Sequence, residues 1–202
     1  MFRIVVFASG SGSNALNLIQ YFNSGNCAKV VLLASNKSEA PVLKKAEEHD
    51  VETYVFGKKE FYESNQVIEK INTFKPDLIV LAGFLWLVPH SFIKAFPDKI
   101  INLHPSLLPK YGGKGMYGHH VHNAVLAANE PYTGITIHMV NEEYDKGAIV
   151  YQNQFDIDAN DDLASIQNKI HQMEQRGLPL AIEGIMKKRG YEIQNHSNLG
   201  HL

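Results

Sequence analysis

Asn102 and His104 stand two residues apart at the end of an apolar run, so on an extended chain their side chains leave the same face. An amide and an imidazole placed together can donate to an oxygen that gains negative charge, and the imidazole can also carry a proton. Pro105 follows; lacking an N–H, it ends the strand and frees its tip. Each residue has a plainer use as well, since asparagine caps turns and a lone histidine is often a satisfied core or surface side chain. Asp145 lies two residues before Gly147 in a turn-forming stretch, where an aspartate serves the backbone as readily as it serves catalysis.

A second group with chemical potential is Ser9-Gly10-Ser11-Gly12-Ser13-Asn14, which follows a short apolar run and opens an amphipathic one. Backbone N–H groups at such a helix start, with hydroxyls nearby, form an anion site, and a phosphate monoester is the natural ligand. The same residues also suit a simple helix cap. Gly10, Gly12 and Ala15 match the dinucleotide pattern G-x-G-x-x-A, but the second strand ends Ala34-Ser35-Asn36-Lys37, without the acid that holds the ribose of NAD. No NAD(P) is expected. Gly113-Lys114 is followed by Gly115, which excludes a Walker loop. His119, His120 and His122 invite a metal, yet no cysteine or suitably spaced glutamate accompanies them, and none is expected.

The elements that must position these groups are legible as a pattern. Val-, Ile- and Leu-rich runs at Arg3 to Ala8, Lys29 to Ala34, Leu78 to Ala82 and Ile100 to Leu103 suit strands buried on both faces. Helical spacing covers Asn14 to Phe22, Pro41 to His49 and Phe61 to Phe74, with a weaker strand at Glu52 to Phe56. This alternation predicts an α/β fold, a doubly wound and mostly parallel sheet flanked by helices. After Pro105 the pattern changes. A Gly-rich stretch from Lys110 to Gly118 leads into a helix reaching about Asn129. Thr133 to Val140 and Ala148 to Phe155 then form an antiparallel hairpin about Asp145, Lys146 and Gly147. A last helix runs from Asp161 to Lys188, capped by Asp161 or Asn160 and kinked at Pro179.

The length of 202 residues suits one domain over 1–194, its first hundred residues holding the candidate phosphate loop and residues 101–194 the candidate catalytic groups Asn102, His104 and Asp145, with a polar tail over 195–202. Nineteen Lys and Arg against 21 Asp and Glu leave a net charge of -2, which gives no general attraction for nucleic acid. The longest apolar run, Leu78 to Val88, is far shorter than the roughly 20 residues of a membrane helix. One cysteine, Cys27, and an N-terminus without a secretory pattern predict a cytoplasmic protein.

The block Asn102-Leu103-His104-Pro105-Ser106-Leu107-Leu108-Pro109 resembles the signature of folate-dependent formyltransferases, most closely those that formylate glycinamide ribonucleotide in purine synthesis. The likeness extends to Gly12-Ser13-Asn14, Ser35-Asn36-Lys37, Leu81-Ala82-Gly83-Phe84, and Thr133-Gly134 through His138 to Asp145 and Gly147. It implies catalytic roles for Asn102, His104 and Asp145, and a substrate-phosphate site at Gly12, Ser13 and Asn14. Glu174 would contact the ribose, and Leu85, Trp86, Leu87 and Val88, with Asn102, would line the folate pocket. Lys59 is the match for a basic residue at the far end of the folate, and Trp86 stands where many relatives carry arginine. The implied co-substrate is 10-formyltetrahydrofolate and the partners are small molecules, with the protein a monomer or homodimer. A charged His104 beside Asp145 is the expected donor to the oxyanion. His122 is expected near the cleft and His138 as support for the catalytic trio. A formyltetrahydrofolate deformylase and a tRNA formyltransferase are expected to carry a further domain, and a non-catalytic nucleotide-binding module would have no use for the trio.

Overall fold

The computed structural model describes residues 1–193, so the expected tail, with His196 and His201, and the last residue of the expected domain lie outside the described residues. β1 (Phe2–Phe7) shows how the sheet is made: Ile4 and Val6 face one core and Val5 and Phe7 the other, all fully buried. Burial of each such side chain contributes about 1.5–3 kcal/mol, and a strand loaded on both sides belongs in the middle of a sheet. Parallel to β1 run β2 (Ala28–Ser35) on one side and β4 (Leu78–Leu81) on the other. β3 (Glu52–Val55) pairs with β2, and β5 (Ile100–His104) with β4. β6 (Tyr132–Met139) and β7 (Ile149–Asp156) close the far edge antiparallel, giving seven strands in the order β3-β2-β1-β4-β5-β6-β7. The predicted parallel sheet and hairpin are both present.

Two cores cover the faces. On one, α1 (Ser13–Asn23), α2 (Pro41–Glu47) and α7 (Leu163–Lys188) pack Leu18, Val42, Ile166 and Ile182 on the strands. On the other lies an aromatic cluster of Phe7, Phe56, Phe61, Phe84 and Phe92, held by α3 (Lys58–Tyr62), α4 (Gln66–Thr73) and α5 (His90–Ala95). The remaining helix, α6 (His119–Ala127), follows the Gly-rich stretch.

Two local expectations are corrected, and one helix is added to those expected. The single helix over Phe61 to Phe74 is two, because the Ser64 hydroxyl donates back to the Glu60 carbonyl and accepts from Gln66 N–H, which turns the chain between α3 and α4. The cap of α7 is Asp162, not Asp161 or Asn160: its carboxylate accepts from Ser165 N–H at 2.8 Å while the Ser165 hydroxyl accepts from Asp162 N–H at 3.0 Å. α5 follows Pro89 in a stretch too short to show helical periodicity.

The doubly wound order sets the site. The chain runs outward from β1 through β2 to β3 and then crosses back to β4 on the other side of β1, and ligands sit where such a sheet parts, beyond the carboxyl ends of its strands. There Ser9 N–H donates to the Gly83 carbonyl at 3.2 Å, and Asn102 and His104 emerge from β5 alongside.

Two glycines of α7 test the packing of helix on sheet. A Cβ at Gly177 would lie 2.8 Å from Tyr151 and 2.9 Å from Ile135, whereas one at Gly184 would meet open space. Gly184→Ala is expected to stabilise the protein by about 0.5–1 kcal/mol through helix propensity, and Gly177→Ala to destabilise it by about 1–3 kcal/mol through overpacking. Urea denaturation of both variants checks this; equal effects would contradict the packing.

Candidate active site

Asp145 gathers the polar groups of the site. Its carboxylate accepts from Gly113 N–H at 2.8 Å and from the Asn102 amide at 3.4 Å, with His104 Nδ1 at 3.6 Å and His138 Nε2 at 3.5 Å. The trio expected from sequence is therefore together in space, and His138 joins it as a direct neighbour. The antiparallel register explains why: Asn102 is paired with His138, and His104 with Thr136, across β5 and β6. His138 Nδ1 donates to the Met139 carbonyl at 2.8 Å, which leaves Nε2 to accept from Asn102 at 3.2 Å. Both amide hydrogens of Asn102 thus have acceptors, the more distant being Asp145.

His104 is 3% exposed, with Nε2 donating to the Tyr111 carbonyl at 2.8 Å. Burial pushes its imidazolium below the ordinary 6.5, by more than the Asp145 charge and the Tyr111 carbonyl raise it; His138 lowers it further. This corrects the expectation of a charged His104 near neutral pH. The sequence shows the carboxylate partner but not the depth at which the ring lies. Burial alone would raise Asp145; its contact with His138, the positive charge that His104 can take up and the Gly113 N–H instead hold it below the usual carboxylate range.

The first loop lies across the cleft. Gly12 has φ 70, and a Cβ there would fall 1.9 Å from Val42 Cγ2, so only glycine admits α2 this close. Behind the loop the Lys45 ammonium donates to the Ser11 carbonyl at 2.8 Å. This contact was not visible in the sequence, where Lys45 reads as the polar face of a helix. Asn14 donates to Glu174 Oε2 at 2.9 Å, tying α1 to α7, and its own Oδ1 is buried without a partner. Burial raises Glu174, against the lowering effects of Asn14 and His171. Glu174 and Asn14 Oδ1 together present acceptors, which suits hydroxyl donors.

A cleft of about 1010 Å³ joins these groups, and its lining includes the first loop, Leu85 to Val88, Asn102, His104, His122, His138, Asp145 and Glu174. Leu85 is 52% and Leu87 41% exposed, so an apolar wall stands open to a ligand. Lys59 is not among the lining residues; the Lys58 ammonium lies 6.0 Å from the Trp86 ring centroid. Among the described residues no group of three or more His, Cys, Asp or Glu is arranged to hold a metal ion, and no helix is long and apolar enough to cross a membrane.

The model of the formyl transferase family matches residues 2–182. The chain belongs to that family. This formyl transferase is 33% identical over 191 residues to the phosphoribosylglycinamide formyltransferase of Bacillus subtilis, covering 92% of this chain and 95% of the relative. It is 35% identical over 193 residues to the chloroplastic phosphoribosylglycinamide formyltransferase of Arabidopsis thaliana, covering 93% of this chain but 66% of that protein, so it spans about two thirds of the plant relative's length. The crystal structure of the Bacillus halodurans phosphoribosylglycinamide formyltransferase superposes with a TM-score of 0.83 at 32% identity, covering 93% of this chain and 96% of the other.

His122 gives a test of the site's electrostatics in this formyl transferase. It is 5% exposed, its Nδ1 has no partner, and burial, then His119 and His104, lower its imidazolium below 6.5. His104 and His122 therefore bind protons more weakly folded than unfolded, so the stability they allow is present above about pH 6.5 and is lost as pH falls through their lowered values. Thermal unfolding of wild type should drop from pH 7.5 to 5.5, and His122→Leu should flatten that fall. A variant with the same slope as wild type would refute the assignment.

Proposed function

We propose that the protein transfers the formyl group of 10-formyltetrahydrofolate to the free amine of glycinamide ribonucleotide, giving formylglycinamide ribonucleotide and tetrahydrofolate. The observation that carries this reading is the joining of Asn102, His104 and Asp145 at one end of a cleft whose other wall is the first loop. Relatives with the same named activity match over nearly their whole length in bacteria. The deformylase and the non-catalytic module are not favoured.

The phosphate is held by backbone N–H groups at the start of α1, from Gly12, Ser13 and Asn14, with Lys45 behind them. Glu174, with Asn14 Oδ1, accepts from the ribose hydroxyls. Leu85, Trp86, Leu87 and Val88 wall the folate, and Asn102 reaches it from β5. Lys59, on the exposed surface of α3, remains a contact for the folate's far end in this reading, beside Lys58.

The amine attacks the formyl carbon, the new C–N bond forms, and the carbonyl oxygen becomes an oxyanion. Asn102 donates to that oxygen as its weak contact with Asp145 yields. In neutral His104 the Nε2–H is committed to Tyr111, so Nδ1 is the basic atom. It receives the proton that the amine sheds, and Asp145 stabilises the imidazolium formed. The same proton then goes to N10 as its bond to the formyl carbon breaks. The buried ring keeps this base unprotonated before the reaction. No step requires a metal. We place the whole chain in this one activity as a single domain acting on small molecules in the cytoplasm, without nucleic acid or membrane, as a monomer or homodimer.

An assay of formyl transfer with and without glycinamide ribonucleotide tests the function, and folate deformylation that ignores the acceptor would replace it with hydrolysis. His104→Ala and Asp145→Asn should each slow turnover at least ~100-fold. In Asp145→Asn the acid limb of the residual rate should also move to lower pH, since the charge that raises His104 is gone. Near-normal rates in both would remove this mechanism. Asn14→Ala should weaken the ribonucleotide about 10-fold in calorimetry and leave folate affinity unchanged; the reverse would reassign the first loop.

A further inference from the structure

Tyr111 has φ 55, in the left-handed region that residues other than glycine seldom enter. Such a conformation persists only where its surroundings hold it. Here the Tyr111 hydroxyl donates to Glu130 Oε1 at 2.8 Å, and the Lys110 ammonium reaches both oxygens of the same carboxylate at 2.9 and 3.1 Å. The Ser106 hydroxyl donates to the Lys110 carbonyl at 2.9 Å. Glu130, just beyond α6, is 16% exposed against 61% for Lys110, so the tyrosine has a sheltered carboxylate as its anchor. The inner end of the same residue is the carbonyl that accepts from His104 Nε2, and two residues on Gly113 N–H holds Asp145. One short loop therefore sets both members of the His104 and Asp145 pair.

We infer that Glu130 and Tyr111 are positioning residues for the reaction: the carboxylate fixes the tyrosine hydroxyl, and the tyrosine carbonyl thereby fixes the tautomer and orientation of the His104 ring. The inference rests on the proposed role of His104 as proton acceptor. Neither residue touches the reacting atoms. The role differs from plain loop stabilisation because the carbonyl decides which ring nitrogen carries the hydrogen, and hence that Nδ1 is the basic atom. The other titratable groups facing His104 are Asp145, His138 and His122; those around the outer anchor are Lys110, Glu130 and, beside Lys110, Tyr132.

Formyl transfer against pH, and NMR titration of the His104 ring in the ligand-free protein, test this with Tyr111→Phe, Glu130→Ala, the double variant and Glu130→Gln. Tyr111→Phe and Glu130→Ala should each lower kcat about 10-fold, with KM for both substrates within about twofold of wild type. Both should shift the His104 titration and the acid limb of the rate together, to lower pH. The double variant should be no worse than either single one, because they break one link. Glu130→Gln keeps an acceptor for the hydroxyl and should restore most of the loss in Glu130→Ala. A His104 titration unchanged in the folded variants overturns the inference whatever the rate does, as would additive losses. Should Tyr111→Phe fail to fold, the Glu130 pair gives the same comparison. Wild-type protein inactive with both substrates would instead remove the proposed function, and the NMR arm would still decide the link to His104.

Discussion

A carboxylate only 11% exposed, with Asn102, His104, His138 and the Gly113 N–H around it, constrains every segment that supplies one of those groups. An ionised acid buried to this degree is tolerable only if its oxygens are satisfied, and removing a partner leaves an uncompensated charge. The partners of Asp145 come from β5, from β6 and from the loop after Pro105. The edge of the sheet and the Gly-rich loop must therefore be in register before the site is electrically stable.

That requirement explains why the C-terminal half departs from the parallel pattern of the first half. A parallel neighbour of β5 would need a crossover, and its carboxyl end would reach the cleft only after a helix. The antiparallel β6 instead runs back from the site edge, setting Asn102 opposite His138 and His104 opposite Thr136. It then turns within residues 140–148 to bring Asp145 over the same point. Gly147 is needed in that return, since a Cβ would lie 1.7 Å from the Met139 carbonyl oxygen. A slip of one residue between β5 and β6 would place every one of these side chains on the wrong face.

The features legible in the sequence were those carried by spacing along the chain. Alternating apolar runs gave the doubly wound sheet, and Asn102 and His104 announced a shared face. What stayed hidden depends on depth and on contacts between distant segments. Lys45 behind the first loop follows from Gly12 admitting Val42, and nothing in the local sequence of α2 carries that information. The lowered imidazolium of His104 arises chiefly from burial, while the sequence displays only the opposing carboxylate. The Tyr111 carbonyl has no sequence signature, because a backbone acceptor is common to all residues.

The distribution of polarity within the cleft then resolves how an acidic chain can offer a site to an anion. Net charge of -2 is a far-field quantity, screened over a Debye length of about 8–10 Å. Inside the cleft the arrangement is directional. Helix-start N–H groups present positive potential at the first loop, with Lys45 on the Ser11 carbonyl outside the lining, whereas Glu174 and Asn14 Oδ1 present acceptors next to it. A ligand with a phosphate beside a diol meets both demands in one orientation, and reversing it would set phosphate against carboxylate. Because α1 and α7 are tied by the Asn14 to Glu174 hydrogen bond, that orientation is built into the packing of two helices. In the proposed reaction the amine is thus aimed at Asn102 and His104 by groups that take no part in the transfer itself.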